Sequence, residues 1–126
     1  MPRAVRPKFS KVPEEMQQWA GLLEAELASW PAVTARRMFG MIVFYRKGVI
    51  FAALPRTKMF ASPHAVAFKF YKIPPRLRKL LEADTRVAHP VRENGRWISF
   101  EIGRDADLKD ALSWFERAYE SAGKES

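Results

Sequence analysis

Between Glu26 and Glu82 the chain carries eleven basic residues and no acid: Arg36, Arg37, Arg46, Lys47, Arg56, Lys58, Lys69, Lys72, Arg76, Arg78 and Lys79. Guanidinium and ammonium groups in that number, with no carboxylate between them to neutralise their field, suit contact with phosphates or another polyanion. The plainer alternative is a solvated, generally basic surface, because a high isoelectric point names no partner by itself. Charge is segregated along the whole chain. Residues 1–12 carry +4, residues 13–26 carry −4, residues 27–81 carry +11 and residues 82–126 carry −3, leaving a net +8.

Residues suited to catalysis are sparse. There is no cysteine, so disulfides, thiolate chemistry and cysteine-held metals are excluded. Of the two histidines, His64 follows Pro63 and His89 precedes Pro90, each in an expected loop and without metal-binding spacing. Ser62 stands two residues from His64 but lacks the Gly-x-Ser-x-Gly setting of a nucleophile elbow. Asp105 or Asp107 reads as a helix cap rather than half of an acid–base pair. Gly40, Gly48 and Gly95 are isolated, so no phosphate-cradling loop is present. With no nucleophile, base and orienting group to name, the expectation is a non-enzyme that uses no metal and no cofactor.

The elements that would position the bases follow from pattern. At 126 residues, 48% of them apolar, the chain is long enough for one domain with a real core. Residues 1–12 read as a basic arm, either lying along a phosphate backbone or frayed. A helix begins near Pro13 and carries Met16, Trp19, Ala20, Leu23, Leu27 and Trp30 on one face, closing at Pro31. Residues 32–37 read as extended. Met41 to Tyr45 and Val49 to Leu54 are runs of β-branched and aromatic residues around Arg46-Lys47-Gly48. They predict a central hairpin with a three-residue turn, positive φ at Gly48, and both faces largely covered.

Strands are further expected over Lys58–Ala61 and around Val66, Phe68 and Phe70. Pro74-Pro75 opens a short basic helix with Leu77, Leu80 and Leu81 as its apolar stripe. Pro90 marks residues 85–92 as an edge strand or none. Asn94-Gly95 is a hairpin signal before a strand with Ile98, Phe100 and Ile102 inward. A last helix carries Leu108, Ala111, Leu112, Phe115, Tyr119 and Ala122, with Gly123 placed as a terminating glycine. The sum is an α+β domain over 13–123: a mostly antiparallel sheet of about five or six strands with N- and C-terminal helices packed on it and one short basic helix.

Several of these stretches, in this order, are familiar. Val33-Thr34-Ala35-Arg36-Arg37-Met38-Phe39-Gly40, the hairpin from Phe44 to Phe51, Arg96-Trp97-Ile98, Leu112-Ser113-Trp114 and Ala118-Tyr119 resemble the TfoX N-terminal domain (TfoX/Sxy-like) family. The resemblance spans roughly residues 14–122. It implies a small α+β domain, found alone or at the front of competence regulators that act beside the cyclic-AMP receptor protein, and it supplies no catalytic residue. Met41 stands where that family has a second glycine, and the arm before residue 13 lies outside its pattern. On physical grounds Met38, Phe39 and Gly40 read as structural, two apolar side chains feeding the core and a glycine permitting a bend, with Gly48, Trp97 and Trp114 structural beside them.

The expected function is therefore a non-enzymatic regulatory module of the TfoX type whose basic middle third touches nucleic acid. Binding would be weak and sequence-tolerant, because phosphate contacts position a protein without reading bases and no recognition helix is evident. With about six phosphates neutralised, log affinity would fall against log salt with a slope near −5. The alternatives are an adaptor that meets an acidic protein partner, with Tyr45, Tyr71 or Trp97 as anchors, and a small-molecule binder between sheet and helices. No apolar run approaches the ~18 residues of a membrane span, and no apolar segment backs the basic N-terminus, so a cytoplasmic protein without membrane contact is expected.

Overall fold

A computed structural model describes residues 12–57, 62–88 and 97–124. The arm before Val12, the strand expected over 58–61 with Lys58, His89, the Asn94-Gly95 turn and Arg96 lie outside the described residues.

Pro13 has an extended ψ of 148° and forms the N-cap of α1 (Glu14–Ala28), so the helix starts one residue after it, with Glu14 and Glu15 at the positive end of its dipole. Met16, Trp19, Ala20, Leu23 and Leu27 are buried, as their spacing predicts. Trp30 lies past the helix end and stacks on Phe51 with ring centroids 6.4 Å apart.

Five strands follow among the described residues: β1 (Val33–Met38), β2 (Met41–Arg46), β3 (Val49–Pro55), β4 (Ala65–Lys69) and β5 (Trp97–Glu101). They form one antiparallel sheet in the order β1-β2-β3-β4-β5. Two turns differ from expectation. Arg46 pairs with Val49, so the β2–β3 loop has two residues, not three. Lys47 and Gly48 have φ of 49° and 83°, the positive pair that a type I′ turn needs to match strand twist. Phe39-Gly40 repeats this geometry between β1 and β2, with φ of 50° and 82°. Phe39 consequently projects from the turn and is 81% exposed, while Met38 is half-buried. Phe39 does not feed the core, because a turn residue at the tip of a hairpin points away from it.

Between β2 and β3 the register slips: Phe44 pairs with Ala52 and Tyr45 with Ile50, leaving Phe51 as the extra residue of a bulge. Both Phe51 and Ala52 thereby join the core. That core is a single cluster built from α1, one face of the sheet, α2 (Pro75–Ala83) and α3 (Asp107–Gly123). Phe68 sits at its centre, stacked on Trp114 and edge-on to Phe70 and Phe115. The opposite sheet face still buries Val43 and Ala53, flanked by half-buried Met41, Tyr45 and Ile50.

Three further expectations are corrected. In α2 the apolar stripe narrows to Leu81 and half-buried Leu77, and Leu80 is 43% exposed, a short helix having room to bury only one edge. Neither Asp105 nor Asp107 caps α3. Ala106 holds that position, Asp105 accepts the Trp19 indole N–H at 2.7 Å, and Asp107 accepts the Gly103 amide at 2.8 Å. Gly123 is the last helical residue, and Lys124 after it has a right-handed φ of −78°, so no left-handed glycine terminates the helix.

Candidate nucleic-acid interface

The sheet and helices distribute the ten described bases of the middle third over several places. Arg36 and Arg37 are successive and exposed on β1, so their side chains leave opposite faces. Lys47 is exposed in the β2–β3 turn, and Arg56 lies at the other end of β3, its amide bonded to the Gly40 carbonyl at 3.0 Å. Arg56 also makes a 3.5 Å contact with Glu24, an exposed pair of small energetic weight. Arg46 turns inward. Its Nη1 donates to the Tyr119 carbonyl at 3.0 Å and its guanidinium covers the Tyr119 ring at 4.0 Å, so it is a packing group rather than a phosphate contact. Lys69 stands on the sheet face opposite the described helices, over Tyr71 and over Trp97, which is 44% exposed.

The remaining four lie just before α2 or on it: Lys72, Arg76 and Lys79 exposed, Arg78 half-buried. Here the fold adds charges that a count along the chain does not reveal. Lys72 and Arg76 share a cleft of about 370 Å³ with Arg117 of α3 and with Lys124, which follows that helix. Phe70, Pro74, Leu77 and Leu80 supply its apolar walls, and Glu120 is the one acid among its described lining residues. Two elements position this set. Tyr71 donates its amide to Ser121 Oγ at 3.0 Å, tying the segment after β4 to the end of α3. Pro74-Pro75 then starts α2 at the cleft edge, with the Pro74 carbonyl accepting the Arg78 amide at 2.9 Å.

Beside the cleft, sharing Leu80 and Arg117 with it, is an ion network absent from the sequence expectations. Arg86 Nε lies 2.9 Å from Asp84 Oδ1, and its Nη1 lies 2.9 Å from both Asp107 and Asp110. Trp114 donates its indole N–H to Asp84 at 3.0 Å. Burial by itself would raise the Asp84 carboxyl, but hydrogen bonds from the Arg86 and Trp114 side chains and the Arg86 amide outweigh it and hold it below the usual carboxylate value. The Gly103 amide, against the opposing effect of burial and with help from Arg86, likewise lowers Asp107. The Asp84 hydrogen bonds, opposed by burial and joined by Asp107 and Asp110, raise Arg86. Asp84 and Asp107 are held ionised beside a permanent cation, and through Arg86 they clamp the end of α2 to the first turn of α3.

Ser62 and His64 engage different partners. Ser62 Oγ donates to Glu101 at 2.8 Å, while His64 packs against the Trp19 ring and has Nε2 3.8 Å from Glu15. No group of three or more His, Cys, Asp or Glu placed to hold a metal occurs among the described residues. Among them, too, no helix is long and apolar enough to cross a membrane. Trp114 is buried at the centre of the α3 packing. Comparison with family models, with curated proteins and with solved structures finds no match to this chain.

Proposed function

We propose that this chain is a non-enzymatic, cytoplasmic regulatory module that contacts nucleic acid through the phosphates, using the cleft between α2 and α3. One observation carries the reading: Lys72, Arg76, Arg117 and Lys124 converge from two helices and a loop on a single concave surface, with Glu120 the one acid among its described lining residues. The TfoX-like stretches from Val33 to Tyr119 agree with a regulator of transcription or competence. Two prolines open α2, which is only nine residues long, so it is poorly suited to lie in a groove and read base edges. Binding that rests on phosphates alone is weak, salt-sensitive and indifferent to sequence.

This surface is smaller than all eleven bases together, and the expected salt dependence shrinks with it. Four phosphate contacts give a slope of about −3.5 in log affinity against log salt on duplex DNA, and about −3 on single strands. Fluorescence anisotropy with labelled duplexes and single strands across a salt series measures this. A slope in that range, unchanged between unrelated sequences, supports the proposal. A flat salt response, or no binding at low salt, removes it.

A further inference from the structure

The two edges of the sheet are treated differently. Along β5 the chain itself covers the edge: the Glu101 amide donates to the Arg86 carbonyl at 2.8 Å, the Ala88 amide donates to the Ser99 carbonyl at 3.0 Å, and Val87 bridges Phe100. The β1 edge has no such cover among the described residues, and Thr34, Ala35, Arg36 and Arg37 are all exposed. The phase of its pairing is set by the Lys47 amide bonding the Ala32 carbonyl at 3.0 Å. Counting from there, Thr34, Arg36 and Met38 exchange hydrogen bonds with β2, while the N–H and C=O groups of Ala35 and Arg37 point outward.

We infer that this edge docks an acidic, extended segment of a partner protein, which adds to the sheet as a further strand beside β1. Strand addition satisfies the outward backbone groups, and side chains on the incoming strand set the selectivity. Arg36 shares its face with Val43 and Arg37 shares its face with Ile42. One base therefore stands on each side of the sheet at successive positions, and neither has an ion-pair partner among the described residues. A segment with two adjacent acids meets both, one across each face. The same two charges disfavour a second copy of this chain, since edge-to-edge pairing would bring arginines of both copies together. A nucleic-acid strand supplies phosphates but no alternating N–H and C=O groups, so it does not complete the ladder. The inference is independent of the cleft.

The test uses the full chain and a short β-forming peptide of Val and Thr around a central Glu-Glu pair. Amide hydrogen exchange should slow at least about tenfold at Ala35 and Arg37 on peptide addition, with no new protection at Arg36 and Met38, already bonded to β2. Reversing both charges, Arg36→Glu with Arg37→Glu, should weaken binding at least about tenfold. A copy of the peptide N-methylated at its pairing amides should not bind, and this arm needs no variant to fold. Equal binding of the N-methylated peptide, protection located elsewhere, or protection of Ala35 and Arg37 that rises with protein concentration in the absence of peptide would each overturn the inference.

Discussion

Gly123 leaves the space that the Arg46 guanidinium occupies: a Cβ at position 123 would run into Arg46 Nη1 and Cζ. Arg46 is held there by the Tyr119 carbonyl and ring, with its buried Nε lacking a hydrogen-bond partner among the described residues. In an exposed helix Gly→Ala gains about 1 kcal/mol. Here the sign should invert, and Gly123→Ala should lower stability by about 1–2 kcal/mol because the displaced guanidinium loses its contacts. In an Arg46→Ala background the same change should become neutral or stabilising. Urea denaturation of the four proteins measures the coupling, and an Ala that stabilises the wild-type chain would refute the packing argument.

The two hairpin turns store backbone strain in non-glycine residues. Phe39 and Lys47 sit at φ of 50° and 49°, where an L side chain is disfavoured by about 1–2 kcal/mol and Asn is tolerated better. Both are exposed, so neither contributes to the core. Phe39→Asn and Lys47→Asn should each raise stability by about 0.5–1 kcal/mol, read as a higher thermal midpoint. A drop in the midpoint for Phe39→Asn would show that the ring has a stabilising contact the structure does not reveal.

The Arg86 network gives a pH signature. Asp84 and Asp107 have folded-state affinities for protons below their unfolded values. Their contribution is thus fully present above the unfolded carboxylate value of about 3.9 and is lost as pH falls through the lower folded values. Stability should be insensitive to these groups between pH 7 and about pH 5 and fall steeply below about pH 4. Arg86→Met leaves Asp107 buried without its cation and should cost about 2–3 kcal/mol at pH 7, the lower end for breaking an ion network because Arg86 itself is partly solvated. Part of that deficit should close as the pH drops toward 3. A deficit constant across this range would mean that the carboxylates are not the reason for it.

Much of the fold was legible in the pattern of side chains. β-Branched runs around Lys47-Gly48 give the hairpin, and three- and four-residue spacing from Met16 to Leu27 gives α1, because burial on one face imposes those periods. Phe39 was not legible. An apolar residue beside glycine reads as core until the turn that carries it outward is known. The charge surface was only half visible. Lys72 and Arg76 stood out in a stretch free of acids, whereas Arg117 and Lys124 lie in the acid-rich tail and join them only when the fold brings the later part of α3 to the cleft beside α2. Arg36 and Arg56 look like neighbours of the same stretch, yet strand alternation and hairpin reversal take them elsewhere. Arg86 gave a faint signal in the local Asp84-x-Arg86 spacing, but Asp107 and Asp110 reach it only in the folded chain.

The proposal that the α2–α3 cleft is the phosphate-binding surface is tested most directly by two triple charge reversals compared on one labelled duplex at low salt. Lys72, Arg76 and Lys124 changed to Glu should weaken binding by at least about a hundredfold and flatten the salt slope. Arg117 is left in place because its guanidinium also packs 5.7 Å from the Trp114 ring. Arg36, Arg37 and Arg56 changed to Glu, an equal change in net charge away from the cleft, should weaken binding much less and keep most of the slope. Equal losses from the two sets would contradict a localised site and leave only the general positive charge of the chain.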